Sequence, residues 1–285
     1  MTQQLIKQPK IIQAKHHTLS YEEKTLVMGI LNVTPDSFSD GGKFNQVDKA
    51  LAHAAQLIED GAHIIDIGGE STRPGAALVS EEEELSRVIP VIEKITKELD
   101  VPISIDTYKA RVADEAVKAG ASIINDVWGA KADPQMAHVA AKHNVPIILM
   151  HNRPERNYTH LISDMIADLK ESVQIAQQAG VRDDMIILDP GVGFAKNKED
   201  NLKVMNELEH FCHLGYPLLL ATSRKRFIGA VLDLPPEERT EGTGATVCLG
   251  IQKGSAMVRV HDVKEIARMA KMMDAMLNKG GAYHR

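Results

Sequence analysis

Short apolar runs alternate with longer amphipathic stretches along most of the chain. Eight of the runs are continuous and aliphatic, as is typical of parallel strands buried on both faces. They span residues 25–31, 63–68, 102–106, 122–126, 146–150, 185–189, 217–222 and 256–260. Helical patterns lie at 47–60, 81–99, 108–119, 134–143, 161–179, 201–210, 245–253 and 263–278. Several of these end at a glycine, the residue preferred just after a helix C-terminus.

This order of elements predicts the fold class. Eight strand-then-helix units in 285 residues predict an α/β protein with a single (β/α)8 TIM barrel over residues 25–280. Residues 1–24 are predicted to be an N-terminal extension. The alternative is an open doubly wound sheet, but no G-x-G-x-x-G motif follows the first strand, which weakens that interpretation.

Composition and charge narrow the function classes. Hydrophobic residues make up 44% and charged residues 25%, and the net charge of -6 comes from scattered charges of both signs. We therefore expect neither a nucleic-acid nor a membrane partner. No apolar run approaches the about 20 residues of a membrane span. The N-terminus lacks the apolar core of a signal peptide, and the two cysteines form no C-x-x-C pair, so we expect a cytoplasmic protein.

Polar side chains stand at the carboxyl ends of the predicted strands, where (β/α)8 barrels carry their active sites. In strand order they are Asn32, Asp66, Asp106, Asn125 and Asp126, His151 and Asn152, Asp189, Ser223 to Arg226, and Arg259 with His261. Taken alone, Asp66, Asp126 and Asn152 are interpreted as turn or helix-capping residues.

The mixture of charges at these strand ends is more informative than any single residue. Acidic and amide groups follow strands three, four and six, whereas basic groups follow strands seven and eight. Carboxylates accept paired N–H donors such as those of an aminopyrimidine, or they bind a metal. The basic cluster favours an anion such as phosphate, and it begins a predicted helix. The residues alone therefore predict a site for a nitrogen-rich heterocycle that carries an anionic group.

Seven motifs then give a resemblance to a known family. In chain order they are GILNVTPDSFSDGG, DIGGESTRPGA, ISIDTYKA, NDVWG, DPGVGFAK, LLLATSRKRFIG and VRVHDV, each at the end of a predicted strand. The sequence from about Thr25 to the last helix resembles the dihydropteroate synthase family. Pterin-dependent methyltransferase domains share the general plan and are the alternative, but they need no anion cluster. A non-catalytic pterin-binding protein would be expected to have lost Asn32, Arg259 or His261.

The resemblance implies a transferase of folate biosynthesis. The family condenses 6-hydroxymethyl-7,8-dihydropterin diphosphate with p-aminobenzoate, which gives 7,8-dihydropteroate and diphosphate with the help of Mg²⁺. It also implies inhibition by sulfonamides, which mimic p-aminobenzoate. The family is typically dimeric, so we expect a homodimer formed through the last helices.

The resemblance also assigns roles to residues at matching motif positions. The pterin ring would be bound by Asp106, Asn125, Met150, Asp189, Lys225 and Arg259. The p-aminobenzoate site would contain Phe38, Thr72, Arg73, Pro74, Phe194 and Ser223. The diphosphate would be bound by Asn32, Arg259 and His261, with Mg²⁺ at Asn32. The catalytic residues would be Asp106, Lys225, Arg259 and His261, and Asp106 would stabilise the cation left when diphosphate departs. The loop at 32–42 would close with the Arg73 loop and exclude water.

Overall fold

The computed structural model of the chain describes residues 10–34, 43–70 and 78–284. Its strands are β1 (Ile11–Ala14), β2 (His17–Ser20), β3 (Leu26–Asn32), β4 (Ile64–Gly68), β5 (Ile103–Asp106), β6 (Ile123–Asp126), β7 (Ile147–Met150), β8 (Ile186–Asp189), β9 (Leu219–Leu220) and β10 (Met257–Val260). Its α-helices are α1 (Lys43–Glu59), α2 (Glu81–Glu98), α3 (Ala110–Ala119), α4 (Met136–His143), α5 (Leu161–Gln178), α6 (Lys198–Asn206), α7 (Glu209–Cys212), α8 (Arg226–Leu232), α9 (Thr240–Lys253) and α10 (Val263–Met276). Short 3-10 segments lie at Asp183–Met185, Pro236–Glu238 and Lys279–His284.

Eight parallel strands form a closed barrel. Their order is β8-β7-β6-β5-β4-β3-β10-β9. A bridge between Leu188 on β8 and Leu218, just before β9, joins the two ends of this order. The Leu188 N–H donates to the Pro217 carbonyl at 3.0 Å. This closure confirms the predicted (β/α)8 barrel and excludes the open-sheet alternative.

The seventh barrel strand is much shorter than the predicted 217–222. Only Leu219–Leu220 is regular strand, because the chain turns immediately afterwards. The Lys225 N–H donates back to the Thr222 carbonyl at 3.1 Å, and the Thr222 hydroxyl lies 2.8 Å from the hydroxyl of Thr246. The shortened strand therefore releases the following basic residues into a turn at the barrel mouth.

The helix predicted at 201–210 is in fact two helices, α6 and α7. A capping box between Asn197 and Asp200 starts α6 earlier than the apolar pattern indicated, at Lys198. The Glu207 backbone (φ -109°, ψ 23°) then leaves the helical region and ends it. Side-chain caps are local and decide a helix start independently of hydrophobic periodicity.

The β1–β2 hairpin covers the N-terminal end of the barrel. Ile12 and Ala14 on β1 are buried and pack with inward-facing side chains from the bottom of the barrel strands, including Leu26, Met28 and Ile64. A separate and larger apolar cluster lies between the strands and the surrounding helices. The N-terminal end is therefore packed with side chains, which leaves the carboxyl ends of the strands as the place for a site. Among the residues described, no helix is long and apolar enough to cross a membrane.

Candidate active site

The guanidinium of Arg259 lies between two carboxylates at the barrel mouth. Arg259 Nε is 2.6 Å from Asp66 Oδ2, and Arg259 Nη2 is 2.6 Å from Asp106 Oδ2. The Asp66 side chain is fully buried, and the Asn125 amide donates weakly to it at 3.4 Å. A planar fork that donates to two acceptors has a defined orientation, which a point charge would not have. The plane of the guanidinium group is therefore fixed across the mouth.

Asp106 has an oxygen that none of the described residues satisfies. Its Oδ1 is buried and has no hydrogen-bond partner within the described part of the chain. Leaving such an acceptor unpaired costs about 1–3 kcal/mol, so a ligand N–H is the natural partner. Burial raises the pKa of Asp106 above its ordinary value; the charge of Arg259 opposes this, and the Asp66 carboxylate adds to it.

A second carboxylate and a lysine lie on the next strands of the mouth. Asp189, at the end of β8, accepts from the Gly191 N–H at 2.7 Å, and burial raises its pKa. The ammonium of Lys225 donates to the Val192 carbonyl and lies 4.7 Å from the ring centre of Phe194. Burial lowers the pKa of Lys225 to about 8, although the Asp189 charge opposes this shift.

The basic turn after β9 is held by contacts from three residues. Ser223 Oγ accepts from the His261 backbone N–H at 3.1 Å and lies 2.9 Å from His261 Nδ1. Arg224, with a positive φ of 57°, forms an ion pair with Asp262. The Arg239 guanidinium donates to the Arg224 carbonyl at 3.0 Å. These ties present Ser223 and His261 together at the mouth.

Of the remaining predicted site residues, some lie within the described residues and four do not. Met150 ends β7 and is buried, and a side chain placed on Gly68 would lie 3.9 Å from Asn32 Oδ1 and 3.8 Å from Asp106 Oδ2. Asn32 and Asp106 therefore lie over the same glycine. Four residues predicted for the p-aminobenzoate site lie outside the described residues: Phe38, Thr72, Arg73 and Pro74.

The interpretation of Asp66 as a turn residue is wrong, whereas the same interpretation of Asp126 is confirmed. The Asp126 carboxylate accepts the N–H groups of Trp128 at 2.8 Å and Ala130 at 2.7 Å. Asp66 instead pairs with Arg259 inside the mouth. A signal was present in the sequence, because Asp66 lies within a predicted strand and not after it. A buried carboxylate in a strand interior needs a cationic partner.

The fold and the mouth define the class of protein first. A closed barrel whose mouth holds buried carboxylates, an amide and an oriented guanidinium is the arrangement of a barrel enzyme that binds a nitrogen heterocycle. A family model described as "Pterin binding enzyme" matches residues 28–261. The class is therefore the pterin-binding barrel enzymes.

Similar proteins narrow the class to one family. The chain is 76% identical over 284 residues to the dihydropteroate synthase of Bacillus subtilis (strain 168), covering 100% of both chains. The structure of the Xanthomonas albilineans dihydropteroate synthase with 4-aminobenzoic acid has a TM-score of 0.90 and 40% identity, covering 94% of this chain and 98% of that one. The Yersinia pestis dihydropteroate synthase with a sulfonamide drug has a TM-score of 0.87 and 40% identity, covering 94% and 99%. This chain belongs to the dihydropteroate synthase family.

Proposed function

We propose that this chain condenses 6-hydroxymethyl-7,8-dihydropterin diphosphate with p-aminobenzoate and releases 7,8-dihydropteroate and diphosphate. The observation that carries the proposal is the Asp66–Arg259–Asp106 arrangement, in which a buried carboxylate oxygen of Asp106 awaits a donor from a ligand. The similarity to dihydropteroate synthases over the full chain supports the same reaction.

The carboxylates and amide of the mouth suit the donor edge of a dihydropterin. Asp106, Asn125 and Asp189 would accept its ring and amino N–H groups, since all three are buried and carry side-chain oxygens. Lys225 would donate to the ring carbonyl, because its ammonium lies near enough to the Asp189 carboxylate for that charge to act on its pKa. Met150 would form an apolar wall. Arg259 would lie over the ring face with its orientation set by Asp66.

The anionic end of the substrate would meet the cations. Arg259 and His261 would hold the diphosphate, with the Asn32 amide at its other side. The bond between the methylene carbon and the diphosphate oxygen breaks, and its electron pair leaves with the diphosphate. The methylene cation that remains is delocalised into the dihydropterin ring, where the Asp106 carboxylate stabilises it electrostatically. The aniline nitrogen then donates its lone pair to the carbon and loses a proton.

The second substrate would bind beside the first. Phe194 and Ser223 would line the described part of this position. The Phe194 ring lies against Lys225, and Ser223 contacts His261. Phe38, Thr72, Arg73 and Pro74 complete the proposed p-aminobenzoate site. Sulfonamides would compete there, and the similar Yersinia pestis enzyme has been solved with such a drug.

We also propose a requirement for Mg²⁺ at Asn32. Asn32 ends β3 at the mouth and is half-buried, and Mg²⁺ prefers oxygen ligands while it keeps several waters and substrate phosphates. A single protein oxygen therefore fits an ion shared with the diphosphate. When bound, the ion supplies positive charge that neutralises the departing group.

The proposed assembly is a cytoplasmic homodimer. The last helices carry exposed apolar side chains, with 59% of Met272 and 52% of Met276 accessible on α10. On α8, 55% of Val231 is accessible. Contiguous apolar surface marks protein interfaces. Light scattering on the purified chain should give twice the 31.3 kDa monomer mass. A monomer at micromolar concentration would contradict this proposal.

The test of the reaction measures both products. Purified protein is mixed with the dihydropterin diphosphate, p-aminobenzoate and Mg²⁺, and diphosphate and dihydropteroate are followed together. Coupled appearance of both, abolished by chelation, is the expected result. Diphosphate release without dihydropteroate would mean that the second pocket is assigned wrongly. If neither product forms, the proposed function is overturned.

A further inference from the structure

A half-buried lysine outside the proposed substrate contacts holds the loop that follows β8. Lys196 Nζ lies 3.0 Å from the Gly191 carbonyl, 2.9 Å from the Phe194 carbonyl and 3.0 Å from His151 Nδ1. Three acceptors match the three N–H groups of an ammonium. Lys196 therefore binds the loop at two points, at Gly191 near its start and at Phe194.

The imidazole of His151 serves as an acceptor because Asp168 sets its tautomer. His151 Nε2 lies 3.0 Å from Asp168 Oδ2, and a carboxylate only accepts, so Nε2 carries the hydrogen. The lone pair of Nδ1 then faces Lys196. Burial, followed by the Lys196 charge, lowers the pKa of His151 to about 3, so the ring is neutral at working pH. The hydrogen bond between Lys196 and His151, and the one between His151 and Asp168, thus each have a defined direction.

The loop that Lys196 ties has an unusual backbone. Gly191, Gly193 and Ala195 have positive φ values of 63°, 91° and 49°. A non-glycine residue in the left-handed region is strained and persists only where surrounding contacts hold it. The two carbonyl bonds from Lys196 are such contacts, because they fix the peptide units on either side of these turns.

The same loop reaches the proposed substrate contacts. The Val192 carbonyl accepts from Lys225, and the ring of Phe194 lies against the Lys225 ammonium. A shift of this loop would therefore move the Phe194 ring directly. Lys225 would move less, because the Asp189 charge also attracts it.

We infer that Lys196 is a positioning residue for the second substrate: its ammonium, oriented by His151 and Asp168, holds the loop so that Phe194 lines the p-aminobenzoate position. This inference rests on the proposed function. Lys196 acts through the loop and is not placed against either substrate.

The charge of Lys196 is sensitive to pH near neutrality. Burial first, and then the neighbouring Lys225 and Arg153, lower the pKa of Lys196 to about 7, while Asp189 and Asp200 oppose this. Above that pH the neutral amine has two N–H donors for three acceptors, so one of the three hydrogen bonds is lost. Loop positioning should therefore weaken as the pH rises through neutrality.

The test compares Lys196→Met with a matched control, Lys198→Met. Lys198 belongs to the same segment, but its side chain is 44% exposed and lies 3.6 Å from Glu199, a surface pair. We expect Lys196→Met to raise the KM for p-aminobenzoate about tenfold at pH 6, as for the loss of a charged hydrogen-bond donor. The KM for the dihydropterin diphosphate should stay within about threefold. The wild-type KM for p-aminobenzoate should rise between pH 6 and pH 8.5, and this rise should be absent in the variant.

Asp168→Asn tests the same chain of bonds without touching the loop. An asparagine amide can either accept from His151 Nε2 or donate to it, so the ring hydrogen is no longer held at Nε2 by an obligate acceptor and can move to Nδ1, where it faces Lys196. The variant should show the same selective rise in KM, and the double variant with Lys196→Met should be no worse than Lys196→Met alone. If Lys196→Met does not fold, Asp168→Asn decides the question.

The inference is overturned if p-aminobenzoate KM is unchanged in Lys196→Met, or if both substrates weaken equally, as in a general structural loss. It is also overturned if Asp168→Asn behaves like Lys198→Met. Absence of dihydropteroate from the wild-type enzyme would be a different result, because it would remove the proposed function itself.

Discussion

Asp106→Asn is the substitution that most directly tests the proposed chemistry. It removes the charge of Asp106 but keeps its shape. In the structure Asp106 Oδ2 lies 2.6 Å from Arg259 Nη2, and Oδ1 is buried without a partner in the described chain. An asparagine can still accept from Arg259. The electrostatic stabilisation of a methylene cation is what it would lose.

The magnitude follows from the contacts. Loss of one preorganised electrostatic group costs about 10²–10³ in turnover. The fold should survive, because Arg259 keeps the 2.6 Å bond to Asp66 and is not left as an unpaired buried charge. The free energy of unfolding should therefore change by less than about 2 kcal/mol in either direction, below the about 3–5 kcal/mol of a fully broken buried ion pair.

The assay pairs this variant with Asp126→Asn. Asp126 is also a buried carboxylate at a strand end, but it accepts only the N–H groups of Trp128 and Ala130 among the contacts described. Asp126→Asn should lose about 1–2 kcal/mol of stability and keep turnover within about threefold. Turnover is measured by dihydropteroate formation, and stability by urea unfolding. A loss under about tenfold in folded Asp106→Asn would refute the role of Asp106, as would an equal loss of turnover in both variants.

Four further outcomes are expected. Arg259→Lys should lower kcat/KM by about 10–100-fold, since a single ammonium cannot replace a planar fork that donates to two carboxylates; a change under about threefold would argue against that geometry. Removal of Mg²⁺ with a chelator should abolish turnover, and Asn32→Ala should raise the Mg²⁺ concentration that restores it; full activity in chelator would remove the metal from the proposal. The pKa of Asp114 is held below its usual range by Lys118, Lys142 and His143. The Asp114 carboxylate therefore stabilises the fold above its unfolded pKa near 4, and this stabilisation is lost as the pH falls. Asp114→Asn should therefore cost up to about 1 kcal/mol at pH 7 and less at pH 3, by urea unfolding, and equal costs at both pH values would contradict the sign. Ile12→Ala should cost about 2–5 kcal/mol, because Ile12 is buried beneath the barrel, whereas a cost below about 0.5 kcal/mol would mean that the hairpin does not stabilise the barrel.

Much of the fold could be predicted from the chain because its determinants are local. Continuous aliphatic runs of strand length, separated by helical patterns that end at glycine, indicate β-then-α units wherever they occur. The number of such units implies a barrel, and parallel strands place their carboxyl ends on one face. For this reason the sequence alone groups the polar residues at the strand ends into one site.

The two predictions of element bounds that were wrong depend on contacts that the hydrophobic pattern does not reveal. The seventh strand shortened because Thr222 and Lys225 form a turn. The predicted 201–210 helix divided because a capping box at Asn197 moved its start. Apolar periodicity is insensitive to both effects, since neither changes which face of the chain is hydrophobic.

By itself, the sequence determined which residue types stand at the mouth and in what order, since each follows its own strand. Only the tertiary structure decided which of them touch. Asp66 and Arg259 are 193 positions apart, yet their side chains meet because β4 and β10 flank β3 in the closed barrel. Likewise, Lys196 contacts His151, and His151 contacts Asp168, only because β7, β8 and α5 converge there. The partner of a buried charge is set by barrel register and closure, and those are properties of the whole chain.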